Sequence, residues 1–226
     1  MMAFRSVRPL LALLAILSLA GCGIAGSDRS PTRTADVGRP SQSQTASPLG
    51  QQCLAELGRT NARFTSLPDR DYGGGCSALN SVLLDRVGSD TGQFAVTNLG
   101  PLACPAANAL AGWARFGVDR AARQILGSPI ARIETMGSYS CRNIAGSTRR
   151  SAHARSEAVD IGGFVLENGR RISVKAGWTG ASDEREFLRV VHRSACKRFG
   201  TVLGPDYNAA HQDHLHLEAG DGNFCR

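Results

Sequence analysis

Six cysteines spread over residues 51–226 constrain this chain more than any other feature: Cys53, Cys76, Cys104, Cys141, Cys196 and Cys225. An even set of thiols in an exported domain reads as a disulfide framework, which ties distant segments into one unit. Several connectivities are open to six cysteines, and composition does not choose among them. Pairing of sequence neighbours is the expectation: Cys53–Cys76, Cys104–Cys141 and Cys196–Cys225. Its structural reason is local, since Cys104 opens a predicted helix and Cys141 ends the strand after it, so that a bridge would staple helix to sheet.

The export signal lies at the N-terminus. Arg5 and Arg8 precede an apolar run, Leu10 to Ala20, that is too short to span a bilayer as a mature helix. Leu19-Ala20-Gly21-Cys22 then resembles the lipobox of bacterial lipoproteins, in which the cysteine is acylated and becomes the new N-terminus. The resemblance makes residues 1–21 a lipoprotein signal peptide and Cys22 the lipidation site, and it leaves the other six cysteines for disulfides. Residues 22–50 are rich in Ser, Thr, Pro, Gly, Gln and Ala without hydrophobic period. They read as a lipid-anchored disordered linker with a root-mean-square span of about 30 Å. The folded domain is expected at 51–226. The implied location is the cell envelope, with a membrane as partner through the lipid on Cys22. Gly23, where an aspartate would retain a lipoprotein at the inner membrane, fits the periplasmic face of the outer membrane.

Composition bounds the rest. With 226 residues, 42% hydrophobic and 20% charged, the chain can bury one ordinary core. The formal charge is +7, of which +4 falls on residues 51–226. That is too mild for a nucleic-acid footprint, and no basic run or aromatic-basic motif accompanies it. No nucleic-acid partner is expected, and a monomer is. Lys175 and Lys197 are the only lysines.

The periodicity predicts a helix from Ala106 to Leu126, with Pro105 at its start, and a second from Ser182 or Asp183 to Phe199, stopped by Gly200. Strands are expected at 131–139, 158–166, 171–174, 201–204 and 214–219, with Asn168-Gly169 as a hairpin turn and a strand pair within 79–98. This order predicts an α+β fold, a small and largely antiparallel sheet with helices packed on it.

Four of the five histidines fall in two short clusters. The first is Ser151-Ala152-His153-Ala154-Arg155-Ser156-Glu157-Ala158-Val159-Asp160; the second is His211-Gln212-Asp213-His214-Leu215-His216. On a strand the side-chain period is two, so His214 and His216 share a face while Leu215 and Leu217 point to the core. A carboxylate and two imidazoles are a zinc set that leaves one position open for water.

Ser-x-His-(x)6-Asp followed by His-x-His resembles the signature of the zinc peptidases that include lysostaphin-like enzymes, D-Ala-D-Ala carboxypeptidases and the hedgehog signalling domain. The second cluster resembles that of the penicillin-insensitive murein endopeptidases. Over the folded region the chain resembles the bacterial extensin-like protein C-terminal domain family. The marks are Cys104-Pro105, Trp113, Gly137-Ser138-Tyr139-Ser140-Cys141-Arg142, Ser151-x-His153-Ala154-Arg155 and Phe199 to Asn208. The Ser-Pro repeats of plant extensins are absent. The resemblance implies Zn2+ held by His153, Asp160 and His216. It implies catalytic roles for Asp213, His214, His211 and Arg142, and substrate contacts for Ser151 and Arg142. Asp213 stands where the carboxypeptidases have a glutamate, and Ser156 where they have glycine.

The expected function is that of a zinc-dependent peptidoglycan peptidase in cell-wall remodelling, a D,D-endopeptidase or D,D-carboxypeptidase. Peptide hydrolysis needs an activated water, a polarised carbonyl and a protonated leaving amine; zinc supplies the first two and Asp213 or a histidine the proton transfers. A cationic His211 or His214, or Arg142, would stabilise an oxyanion. The alternative is a catalytically silent peptidoglycan-binding lipoprotein that keeps zinc for structure.

Overall fold

A computed structural model describes residues 47–226. The expected signal peptide, Cys22 and all but the end of the linker lie outside the described residues. The first helix, α1 (Pro48–Gly58), begins three residues before position 51, with the Ser47 hydroxyl accepting from the Gly50 backbone N–H.

The fold is α+β. Strands β1 (Arg63–Ser66), β2 (Arg70–Gly73), β3 (Cys76–Ala78), β4 (Ser81–Gly88), β5 (Gln93–Thr97) and β6 (Leu102–Ala103) precede the long helix α2 (from Cys104). Then come β7 (Ile130–Gly137), β8 (Ala158–Leu166), β9 (Arg171–Ser173), the single turn α3 (Val174–Gly177) and α4 (Ser182–Ala195). Strands β10 (Thr201–Leu203), β11 (Leu215–Glu218) and β12 (Phe224–Cys225) close the chain. Ten of these strands form one sheet in the order β1-β4-β5-β7-β8-β11-β10-β12, with β6 on β4 and β9 on β8; β2 and β3 pair separately. The sheet is therefore larger than expected. It is largely antiparallel, with parallel pairing at β5–β7 and β10–β12. The β5–β7 crossover carries α2.

The predicted helices form, with local adjustments. α2 runs regularly over Cys104–Trp113, then continues through two wider π turns, Ala114–Asp119 and Ala122–Leu126, until Gly127 at φ +68° ends it. α4 stops at Ala195 because its last turn tightens: Lys197 and Arg198 donate to carbonyls three residues back, not four. Both helices pack on one face of the sheet. Trp113, fully buried, donates its indole N–H to the Val191 carbonyl at 2.9 Å, and Phe164 of β8 packs between Trp113 and Phe187. Helix α2 crosses α4 closely at Gly117, where a Cβ would lie 2.3 Å from the Ser194 hydroxyl.

The disulfides correct two of the three expected pairs. They join Cys53 to Cys104, Cys76 to Cys141 and Cys196 to Cys225. Pairing by sequence neighbourhood fails because α1 lies on α2, where Asn108 donates to the Cys53 carbonyl at 3.1 Å, so Cys53 meets the start of α2. Cys76, in β3, is left beside the segment after β7, since β3 packs against the turn leading into β8.

Candidate metal centre

The sheet face opposite the helices carries the histidine clusters. In β8, Val159 and Ile161 are buried in the core, which turns Asp160 to the other face. Leu215 and Leu217 do the same for β11, as the alternation predicts. Register then decides the meeting: Asp160 stands opposite His216 on one side and Gly137 on the other.

His153 arrives from a 3-10 turn, Ala152–Arg155, and not from a strand. The Ser151 hydroxyl accepts from the His153 backbone N–H at 3.3 Å, and Ser156 at φ +59° ends the turn. Ser151, expected to touch substrate, is 5% exposed, and its hydroxyl caps the turn that presents His153. The His153 Nδ1–H donates to the Ser138 carbonyl at 3.0 Å, which leaves Nε2 as the free lone pair. That Nε2 lies 3.2 Å from Asp160 Oδ2 and 3.2 Å from His216 Nδ1. His216 Nδ1 lies 2.9 Å from Asp160 Oδ1, and its Nε2 faces Glu218 at 3.6 Å.

Three ligand-type atoms thus converge from a turn and two adjacent strands. A tetrahedral zinc with ligands at roughly 2.1 Å separates those atoms by roughly 3.4 Å, so a small outward shift accommodates the ion. Both histidines have an outward partner for the other ring nitrogen, Ser138 and Glu218, as ligating imidazoles do. The donor set fits zinc. A second cluster, His192 with Cys196 and Cys225, offers no thiolate because the two sulfurs are bonded to each other.

Without metal, electrostatics hold the site together. Burial pushes the Asp160 carboxyl up, but hydrogen bonds from His153 and His216 outweigh it and hold the group well below the usual range. Burial pushes the His216 imidazole down; Asp160 and then Glu218 outweigh it and raise the ring to about 9. Metal-free His216 therefore carries a proton at neutral pH, and an ion must displace it.

A second ring of residues lines the rim. His214 directs Nδ1 to Asp213 at 2.9 Å and Nε2 toward Asp160 at 3.6 Å. The Asn208 side-chain oxygen accepts from the Ala210 backbone N–H, so it also accepts the Nδ1–H of His211, at 2.7 Å. Burial chiefly, then the charges of His214 and His216, lower His211 to about 4. His211 is thus neutral at pH 7, and the cationic form weighed from sequence is the disfavoured one. Arg142 is exposed in the loop after β7, and its charge contributes to the lowering of His211, which puts it on the same rim. The Cys76–Cys141 bridge pins the chain beside it, and Arg150 of the same loop donates to the Gly74 carbonyl at 2.6 Å.

Residues 51–226, the whole segment that builds this centre, match the family model described as extensin-like protein C-terminus. The chain belongs to that family. No curated protein and no solved structure matches it. Within this extensin-like domain, the site residues singled out from sequence come together around Asp160, with Arg142 at the rim and Ser151 beneath. Sequence reasoning missed Ser138, Asn208 and Glu218. Ser138 acts through its main-chain carbonyl, which leaves no signature. Glu218 was visible as the next residue on the His214–His216 face, and Asn208 as an Asx cap three residues before His211. Among the described residues, no helix is long and apolar enough to cross a membrane.

Proposed function

We propose that this extensin-like domain is a zinc-dependent peptidoglycan peptidase that cleaves a bond involving a D-amino acid. The observation that carries the reading is the convergence of His153 Nε2, Asp160 and His216 Nδ1 on one point, with outward partners for both imidazoles and more histidines at the rim than a structural ion needs. Zinc, bound by those three, would polarise the scissile carbonyl and acidify a water.

The chain's own groups supply the remainder. Asp213 accepts from His214 Nδ1–H and fixes that tautomer, so Nε2, facing Asp160, is the atom free to take a proton and return it to the leaving amine. This makes His214 the general base and Asp213 its positioning partner. Neutral His211, donating through Nδ1 to Asn208, keeps Nε2 as an acceptor for a substrate N–H or a water. Arg142, with no carboxylate partner among the described residues, is the cation available to a substrate carbonyl or carboxylate. The lipid anchor on Cys22 would hold the domain in the envelope beside its polymer. Cys22→Ala is expected to shift the protein from the membrane to the soluble fraction, and unchanged membrane fractionation would refute the anchor.

Purified peptidoglycan incubated with the zinc-loaded protein, and its fragments resolved by mass spectrometry, tests the activity. New free amino or carboxyl ends at D-alanine are the expected result. An unchanged fragment pattern would refute the reading.

A further inference from the structure

The sheet face that holds the candidate ligands does not end at Asp160. Two residues along β8, Gly162 occupies the same face without a side chain, and the exposed Met136 of β7 lies across it, within 3.2 Å of where a Cβ would stand. Beyond Gly162 the face opens into a groove of about 330 Å³, with Glu134, Arg171, Lys175 and, at the end nearest the metal centre, Asp213 as the charged residues on its walls. That volume lies at the small end of ligand pockets and suits one amino-acid arm.

The charges in the groove are unequal in availability. Glu134 is held between Arg171, at 2.6 Å, and Arg132, at 3.0 Å. Asp213 is engaged by His214 at 2.9 Å. Lys175, exposed on α3, has no ion pair with any carboxylate among the described residues. One of only two lysines in the chain thus presents an ammonium without a direct carboxylate contact to a groove that starts at the reaction centre, its charge reaching Asp213 only at longer range.

We propose that this groove is a specificity subsite for a carboxylate-bearing arm of the substrate peptide, with Lys175 as its recognition residue. The proposal rests on the peptidase reading and adds which feature of the peptide is selected. A single mobile ammonium suits a monoanionic carboxylate. Gly162 lets the arm lie against the sheet, where a side chain would force Met136 into its path.

The test uses two synthetic stem peptides that differ at one group, the free carboxylate of the branched residue or its carboxamide. Dissociation constants and cleavage kinetics are measured for the full-length protein, Lys175→Gln and Lys175→Arg, with circular dichroism and zinc content as controls for folding. The native protein should bind the carboxylate about tenfold more tightly than the carboxamide. Lys175→Gln should erase that preference by raising KM for the carboxylate with kcat kept, and Lys175→Arg should restore most of it. A native protein that does not distinguish the peptides, or a preference that survives Lys175→Gln, would overturn the subsite. Absence of cleavage by the native protein would refute the peptidase reading separately, because the dissociation constants still report on the groove.

Discussion

Replacing Asp213 by asparagine separates a positioning role from direct proton transfer. Its carboxylate accepts from His214 Nδ1 at 2.9 Å while His214 Nε2 lies 3.6 Å from Asp160. Proton transfer through Nε2 requires the tautomer that this bond stabilises. Asparagine can still accept through its carbonyl, but with its amide turned it favours the other tautomer. The pair is near the surface, with the Asp213 side chain 37% exposed, so water replaces part of the lost interaction. We therefore expect Asp213→Asn to lose about 10–100-fold in kcat, or about 1.4–2.7 kcal/mol, with zinc content unchanged. His214→Gln removes the base itself and should lose about 10²–10⁴-fold. The double variant should be no worse than His214→Gln, because Asp213 acts only through that ring. Steady-state cleavage of a defined muropeptide, with metal analysis of each variant, provides the assay. A thousandfold loss in Asp213→Asn with near-native turnover in His214→Gln would refute the reasoning and make Asp213 the base.

Three further outcomes follow from the same geometry. His153→Ala, Asp160→Ala and His216→Ala should each lose bound zinc and activity together; one zinc retained by His216→Ala would pass its place to His214. The metal-free form should show a definite pH dependence. The raised His216 contributes stability that is full below its unfolded value near 6.5 and is lost as pH rises through about 9. The lowered Asp160 contributes above its unfolded value near 4 and loses this as pH falls toward its folded value. Stability of the chelated protein should thus be highest between about pH 4 and 6.5 and fall by up to about 3 kcal/mol toward pH 9, whereas urea titrations that show no decline there would contradict the His216–Asp160 pairing. Removing the Cys53–Cys104 bridge as a double alanine variant should cost about 4 kcal/mol, from closure of a loop of 51 residues. An unchanged denaturation midpoint, or peptide mapping that pairs Cys53 with Cys76, would contradict the structure.

The parts of the fold legible in the sequence are those whose burial imposes a period. Helix α2 shows its apolar stripe over two stretches, β8 and β11 alternate, and Asn168-Gly169 turns the chain with Gly169 at φ +86°. The N-terminal third is less legible. Strands β1 and β2 are exposed along almost their whole length, and β6 and β12 have two residues each, so no period builds up. α1 was masked by its position at the end of a linker-like composition. Disulfide pairing failed for another reason: Cys53 meets Cys104 because two helices dock, and docking is a tertiary event with no sequence period. At the site, residue types at strand spacing revealed His214, His216 and Asp160. The polarity of their rings, set by Ser138, Glu218, Asp213 and Asn208, needed the geometry.

The central claim, that the three converging side chains hold a catalytic zinc, is tested most directly by titrating zinc back into chelated protein while cleavage of purified peptidoglycan is followed. Cleavage should be absent in the chelated protein, rise linearly with zinc, and saturate at one ion per chain, with Asp160→Ala inactive throughout. Cleavage that persists in chelator, or one tightly bound zinc with no cleavage of peptidoglycan at any loading, would contradict it.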